Sequence, residues 1–241
     1  MDDRSGSRPA EPRQRWRIVF ARSAPVSPER GDGTAAWQAT IASAGLPLAL
    51  SQGRTARPRV AVATALPVGI PGEGELAEMV LTERLTRVDV RSRLEGRLAT
   101  GHRLVDLFDV WLGDPSLAAS LVAADYRLEV EGVSAVELAE ACRALLDSTT
   151  LERSRAKGEG RSVTYDLRPL LLGLEVLPGT AKLVGADGMA VVRMRLRHRQ
   201  EGGIGRPDEV ILALAERLGG EVAVLSTIRE RLLTSDELPP V

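Results

Sequence analysis

Cysteine is almost missing from this chain. Cys142 is the only one in 241 residues, which excludes an internal disulfide and any cysteine-ligated cluster. Aromatic residues make up 3%, so a core has to be built from Leu, Val and Ala, and recognition by stacking or aromatic cages has little to work with. Lysine is scarcer still, with only Lys157 and Lys182. The basic residues are otherwise Arg, a skew that a GC-rich genome accounts for as readily as selection for bidentate phosphate contacts. Charge of one sign is lacking too: 32 basic and 33 acidic residues leave a net charge of −1, so nothing draws the whole chain to nucleic acid or a membrane. No apolar run is long enough to span a bilayer. Met1 to Arg15 has no apolar stretch of the signal-peptide kind. The expected setting is the reducing cytoplasm, with no membrane partner. His102 and His198 have no carboxylate or second His at ligand spacing, so neither metal nor cofactor is expected.

What is present suits a folded core: 44% hydrophobic and 27% charged residues. After a disordered tail (1–14), Arg15–Arg22 alternates as a strand, with Trp16, Ile18 and Phe20 on one face. A helix over Thr34–Ala44 ends at Gly45 and Pro47. Strands are expected over Arg59–Leu66 and Glu75–Leu81. Thr86 caps a helix carrying Val90, Leu94 and Leu98, and a strand follows over His102–Leu112. The order is β-α-β-β-α-β, the ferredoxin-like arrangement.

Gly113-Asp114-Pro115 punctuates the chain and the order restarts. Leu121–Glu131 alternates cleanly, and Ser134 with Glu137 spells a capping box for a helix to Leu146. Strands are expected at Leu151–Lys157, Ser162–Leu167 and Leu171–Leu177, with two more flanking Ala186-Asp187-Gly188. Pro207 opens a helix that ends at Gly219-Gly220, and a last strand runs from Val222 to Leu232. The fold class is α+β: two tandem ferredoxin-like domains (15–113 and 114–233), the second with extra inserted strands, before a C-terminal tail (234–241).

The most informative pattern is Val191–Arg199. Arg193, Arg195 and Arg197 alternate with Val192, Met194 and Leu196, so a strand places three guanidiniums on one face. Residues 151–200 hold ten basic and five acidic side chains, an asymmetry suited to a local phosphate-binding face. The plainer reading is a solvated outer sheet face. Arg54, Arg57 and Arg59 surround a second Gly-containing turn, whose backbone N–H groups and guanidiniums suit a phosphate. Arg168, in Asp166-Leu167-Arg168-Pro169, joins these anion-binding candidates, although an internal ion pair fixing a turn is the simpler role. Gly202-Gly203-Ile204-Gly205 precedes a helix but lacks P-loop spacing and reads as a flexible connection. Cys142 reads as buried filler.

Gly45-Leu46-Pro47-Leu48-Ala49-Leu50-Ser51-Gln52-Gly53, continuing through Pro58-Arg59 to Leu66-Pro67-Val68-Gly69, resembles an uncharacterised radical-SAM-associated family, found beside or fused to B12-binding radical SAM proteins. Asp114-Pro115-Ser116-Leu117, Asp125-Tyr126, Asp166-Leu167-Arg168-Pro169 and Arg206-Pro207-Asp208-Glu209-Val210 resemble its later motifs. Where that family carries Ser-His-Leu-Asp, this chain has Val26-Ser27-Pro28-Glu29. Where it carries Phe-Asn-Pro-His-Pro, this chain has Arg54-Thr55-Ala56-Arg57-Pro58. Its Arg-rich helix is replaced by Thr40-Ile41-Ala42-Ser43-Ala44. The scaffold turns survive and both suspect histidines are gone, so the resemblance implies a divergent member.

These features lead to an expectation of a non-catalytic accessory module. It binds RNA, or an RNA-processing partner, through the Arg-rich face, in association with the B12-binding radical SAM protein that the resemblance implies. The rivals are a metal-independent ribonuclease or RNA-modifying enzyme with His198 or His102 as general base, and a purely protein-binding subunit.

Overall fold

A computed structural model describes residues 10–27, 33–52, 55–156, 162–177, 189–199 and 202–238. The chain divides into two compact units, Met1–Ser120 and Leu121–Val241. It is a mixed α+β protein whose described strand pairs are antiparallel.

The first unit contains β1 (Gln14–Arg22), α1 (Thr34–Ser43), β2 (Val60–Val62), β3 (Gly72–Leu81), α2 (Arg87–Leu94), β4 (His102–Val110) and a four-residue helix, α3 (Leu117–Ser120). β1 lies between β4 and β3, and β2 pairs with β3. Period-two alternation sends Trp16, Ile18, Phe20, Ala77, Met79 and Leu81 to one face, where they pack on Trp37 and Ile41 of α1 and Val90 and Leu94 of α2. Each such fully buried aliphatic side chain contributes about 1.5–3 kcal/mol. The helices begin differently. α2 carries a capping box between Thr86 and Asp89, whereas α1 has no side-chain cap.

Two expectations need correcting. The strand expected over Arg59–Leu66 is only Val60–Val62, because ladder pairing with β3 stops there; the Ala63 N–H still donates to Leu76 O before the chain reaches Pro67. β3 starts three residues early, at Gly72, because its register on β1 extends to Arg22 opposite Gly72.

The other face of this sheet holds charge. Glu78 on β3 accepts Nε and Nη2 of Arg15 at 3.1 and 2.6 Å on one carboxylate oxygen. Nε and Nη2 of Arg17 reach the other at 3.0 and 2.7 Å. All three side chains are buried. Arg15 also donates to the carbonyls of Asp114 and Pro115 at 2.9 and 2.7 Å, which pins the Gly113-Asp114-Pro115 turn.

The second unit contains β5 (Leu121–Glu131), α4 (Ala135–Asp147), β6 (Glu152–Ala156), β7 (Ser162–Asp166), a 3-10 turn (Arg168–Leu170), β8 (Leu171–Val176), β9 (Met189–Arg197), α5 (Pro207–Leu218) and β10 (Ala223–Thr234). Its sheet runs β10-β5-β9-β8, and β6 with β7 forms a separate hairpin. Val122, Ala124, Tyr126, Leu128 and Val130 of β5 are buried, as are Val192, Met194 and Leu196 of β9. So are Leu138, Ala141, Cys142 and Leu145 of α4 and Val210, Ala213 and Leu214 of α5. The capping box of Ser134 and Glu137, Pro207 in the first turn of α5 and left-handed Gly219 at its C-terminus set the helix ends. Thr234, expected in a tail, closes β10 and donates through its N–H and hydroxyl to Glu237. The expected turn at Ala186-Asp187-Gly188 lies outside the described residues. Among those described, no helix is long and apolar enough to cross a membrane.

Candidate anion-binding face

β9 carries Arg193, Arg195 and Arg197 on the face opposite its buried Val192, Met194 and Leu196. β5 presents Asp125, Arg127 and Glu129 to the same side, because Asp125 is the cross-strand partner of Arg195 and Arg127 that of Arg193. The stripe is therefore part of a charged ladder.

Asp125 is its most buried member, its side chain 3% exposed. It accepts two bonds from Arg195, Nε at 2.7 Å and Nη2 at 2.9 Å, and one from Nε of Arg231 at 2.9 Å. Burial alone raises the Asp125 pKa, but the bonds from Arg195 and Arg231 outweigh it and hold the carboxyl below the ordinary Asp range. Glu230 is the second hub. It accepts Nε of Arg193 at 2.9 Å and Nη1 of Arg127 at 3.2 Å. Glu230 holds the Arg193 guanidinium, and Asp125 that of Arg195, above the usual Arg pKa. Each carboxylate thus faces two guanidiniums, and Glu175 lies 4.0 Å from Arg193 as a third, more exposed counter-charge. The arginines stay partly open, Arg231 to 53% and Arg193 to 41%. Arg197 makes no ion pair among the described residues.

Glu230 and Arg231 are consecutive, yet both reach this ladder. A strand's alternation forbids that, and a bulge permits it: the register of β10 on β5 shifts between Arg229 and Arg231, leaving Glu230 as the extra residue. Sequence reasoning missed Asp125, Arg127, Glu230 and Arg231. Asp125 and Arg127 had a signal, the polar alternation of β5 opposite its apolar face. The bulge left none.

The other candidates are not gathered here. Arg168 is held in the scaffold: its Nε donates to Leu146 O and its Nη1 to Leu171 O, both at 2.9 Å. Asp166 accepts the backbone N–H groups of Arg168 and Leu151, so it fixes the turn without the side-chain ion pair expected of it. Arg57 and Arg59 are exposed in the first unit, where Ser51 accepts the Arg57 N–H, and Arg54 lies outside the described residues. Gly202–Gly205 is tied down: Ile204 bridges His198, and the Gly205 N–H donates to Arg197 O at 2.8 Å.

Neither histidine is placed as a base for a bound nucleotide. His198 is buried, and burial together with the charge of Arg229 pushes its pKa down to about 4. His102 stacks on Phe20 at 5.6 Å beside Trp37, and burial lowers its pKa. The recess it lines with Arg22, Thr64 and Glu75 has about 10 Å³ of water-accessible space, room for one water. Burial drives the Cys142 thiol up to about 12.

The profile of a family described as an uncharacterized protein conserved in bacteria (DUF2344) matches residues 31–207. No curated protein matches the chain. Among solved structures, a Cbf5-Nop10-Gar1 complex is similar at 12% identity and a TM-score of 0.46, over 91% of this chain and 51% of that one. This chain spans about half the length of that one. A DyPB from Rhodococcus jostii RHA1 is similar at 10% identity and a TM-score of 0.23, over 93% and 92% of the two chains. A DypB variant in complex with manganese gives 10% and 0.22, over 95% and 94%. At TM-scores below 0.5 these likenesses do not establish a shared fold.

Proposed function

This chain belongs to the bacterial family DUF2344, and from the geometry above we propose that it is a non-catalytic binding module whose second unit holds single-stranded RNA through its phosphates. The observation that carries this is the sharing of each carboxylate by two arginines. Asp125 and Glu230 fix the guanidiniums of Arg127, Arg193, Arg195 and Arg231, and even with Glu175, 4.0 Å from Arg193, three carboxylates face these four cations and Arg197 beside them. Positioned cations recruit phosphates at less entropic cost than mobile ones. The aromatics of this unit support backbone contacts over base stacking, since Tyr126 is buried and Tyr165 belongs to the β6–β7 hairpin. The buried His198 and the one-water recess at His102 favour binding without catalysis.

Two finer readings belong to the same proposal. Each unit is a ferredoxin-like variant, supported by the strand orders β4-β1-β3-β2 and β10-β5-β9-β8 and by the β6–β7 insertion in the second. Service beside a radical SAM protein is supported by the resemblance of the Gly45-Leu46-Pro47 and Leu66-Pro67-Val68-Gly69 turns.

Titration with labelled polyuridine over a series of salt concentrations tests the RNA reading. Replacing Arg197 and Arg231 with Gln should weaken binding and reduce the slope of log affinity on log salt by about 0.7 for each phosphate no longer neutralised. Both positions leave Asp125 its bidentate partner, Arg195. Absence of binding at low salt, or an unchanged slope in the double variant, refutes the proposal.

A further inference from the structure

The first unit has a sheet edge with an exposed aromatic at its end. Among the described residues β4 pairs only with β1, so its other side is an edge that a further strand can meet, although side chains already engage two mid-strand main-chain groups, Asp106 accepting the Leu107 N–H at 2.7 Å and Arg91 reaching Val105 O at 3.5 Å. Exposed edges are ordinarily blunted by Pro, Lys or inward charge. β4 contains neither Pro nor Lys, Asp106 is engaged by Arg87 and Arg91, and Asp109 accepts the Gln14 amide at 3.0 Å, so the blunting device it does carry is a bulge, with Val105 the extra residue where its register on β1 shifts. Along this strand Val105 and Phe108 are exposed.

Immediately beyond it lies Trp111, 74% exposed in a chain with three tryptophans. A Cβ built on Gly113 would fall 2.5 Å from the Trp111 ring, so the ring lies over Gly113 and any larger residue there displaces it. The turn beneath is closed by the Asp114 N–H to Trp111 O at 3.1 Å, and Arg15 grips its Asp114 and Pro115 carbonyls from the buried triad. Trp111 and Leu112, with Arg13, Gln14, Arg84, Asp109 and Val110, line an open recess of about 310 Å³. Two guanidiniums against one already bonded carboxylate make that recess cationic.

We propose that β4 and the Trp111 recess dock an extended peptide from a partner protein, which adds as a strand and alternates apolar with acidic residues. Its main chain pairs with β4, an apolar side chain packs on Trp111, and a carboxylate meets Arg13 and Arg84. An exposed Trp on a pinned turn is the residue type that anchors interfaces. A second copy of this chain fits less well: the register that pairs all nine residues of β4 with their copies sets Asp106 opposite itself, a destabilising like-charge contact.

The test uses the whole protein and two labelled synthetic peptides, one alternating Val with Glu and the other Val with Lys. Anisotropy should report binding of the Glu peptide only, with protection of backbone amides in 102–110 from hydrogen exchange. Trp111→Ala should weaken this at least about tenfold. Gly113→Val, which displaces the indole without deleting it, should act in the same direction. Arg13→Gln with Arg84→Gln should weaken it and lessen its salt dependence. Circular dichroism checks that each variant folds, and Trp111→Ala, altering an exposed side chain, serves if Gly113→Val does not. The proposal is overturned if neither peptide binds, if both bind alike, or if the Glu peptide binds undiminished by Trp111→Ala. It is equally overturned if a dimer dissolved by Trp111→Ala appears, or if all β4 amides are already protected in the monomer, since a second copy or the chain itself then fills the edge.

Discussion

Glu78→Gln is a test of the buried arginine pair that tryptophan fluorescence can read from within its own unit. The carboxylate receives four N–H donors from Arg15 and Arg17, at 2.6–3.1 Å, and its side chain is 8% exposed. Glutamine keeps the volume and offers one acceptor oxygen, while its NH2 group opposes a guanidinium. Two buried cations are then without the counter-charge they share. Removing one partner of a buried ion pair costs about 3–5 kcal/mol, chiefly through the uncompensated charge left behind. All three tryptophans, Trp16, Trp37 and Trp111, belong to the first unit, so tryptophan fluorescence in urea reports from that unit. At a slope of about 1–3 kcal/mol per molar, the urea midpoint should drop by more than about 1 M. The compensated variant Arg15→Met, Arg17→Met, Glu78→Leu should recover most of the loss, because an apolar replacement of a whole buried triad is often neutral. It should not recover all, since the Asp114 and Pro115 carbonyls lose Arg15, at about 1 kcal/mol or more. A Glu78→Gln loss below about 1 kcal/mol, or a triple variant no better than the single, refutes this account.

Further outcomes follow from the same geometry. His198 has a folded pKa of about 4 against an ordinary 6.5. The stability tied to its neutral form is therefore whole above pH 6.5 and drains as pH falls towards 4, by about 1.4 kcal/mol per unit and about 3 kcal/mol in all. Urea midpoints by circular dichroism at pH 7 and pH 5 should converge in His198→Phe, and an undiminished pH effect in that variant sinks the assignment. Thr86→Ala removes the cap of α2 and should cost about 1 kcal/mol by tryptophan fluorescence, whereas Ser134→Ala should cost a similar amount by dichroism and leave the tryptophan transition in place. Cys142, buried and with its thiol near 12, should resist iodoacetamide at pH 8 in the native protein and react once urea unfolds it; rapid native alkylation contradicts its burial.

Local chemistry was the legible part of this chain. The Ser134–Glu137 box, Pro207 at the head of α5, the Thr86 cap and the alternation of Leu121–Glu131 each spell their element within a few residues, and each element lies where those residues put it. Long-range pairing was not legible. That Asp125 sits opposite Arg195, or that Glu78 takes both Arg15 and Arg17, depends on strand register, which no single segment encodes. The Arg193-Arg195-Arg197 stripe was correctly placed on one face, but its neutralising partners were invisible, so it looked more cationic than it is. Replacing all three with Gln, harmless to an isolated stripe, strips Asp125 of its bidentate partner and should cost stability as well as binding. Arg168 misled for a related reason, since the adjacent Asp166 bonds its backbone and distant carbonyls hold its guanidinium.

The bulge at Glu230 makes this face sensitive to residue number as well as residue identity. Exchanging one charged side chain for another adjusts a single bond and leaves its neighbours in register. Deleting any one of Arg229, Glu230 and Arg231 restores plain alternation, so consecutive positions again point to opposite faces and only one of Glu230 and Arg231 can remain on the ladder. Either Arg127 and Arg193 lose Glu230, or Asp125 loses Arg231. Along this short stretch, drift by substitution is gradual while drift by deletion is abrupt, and chains that keep the ladder must also keep the count.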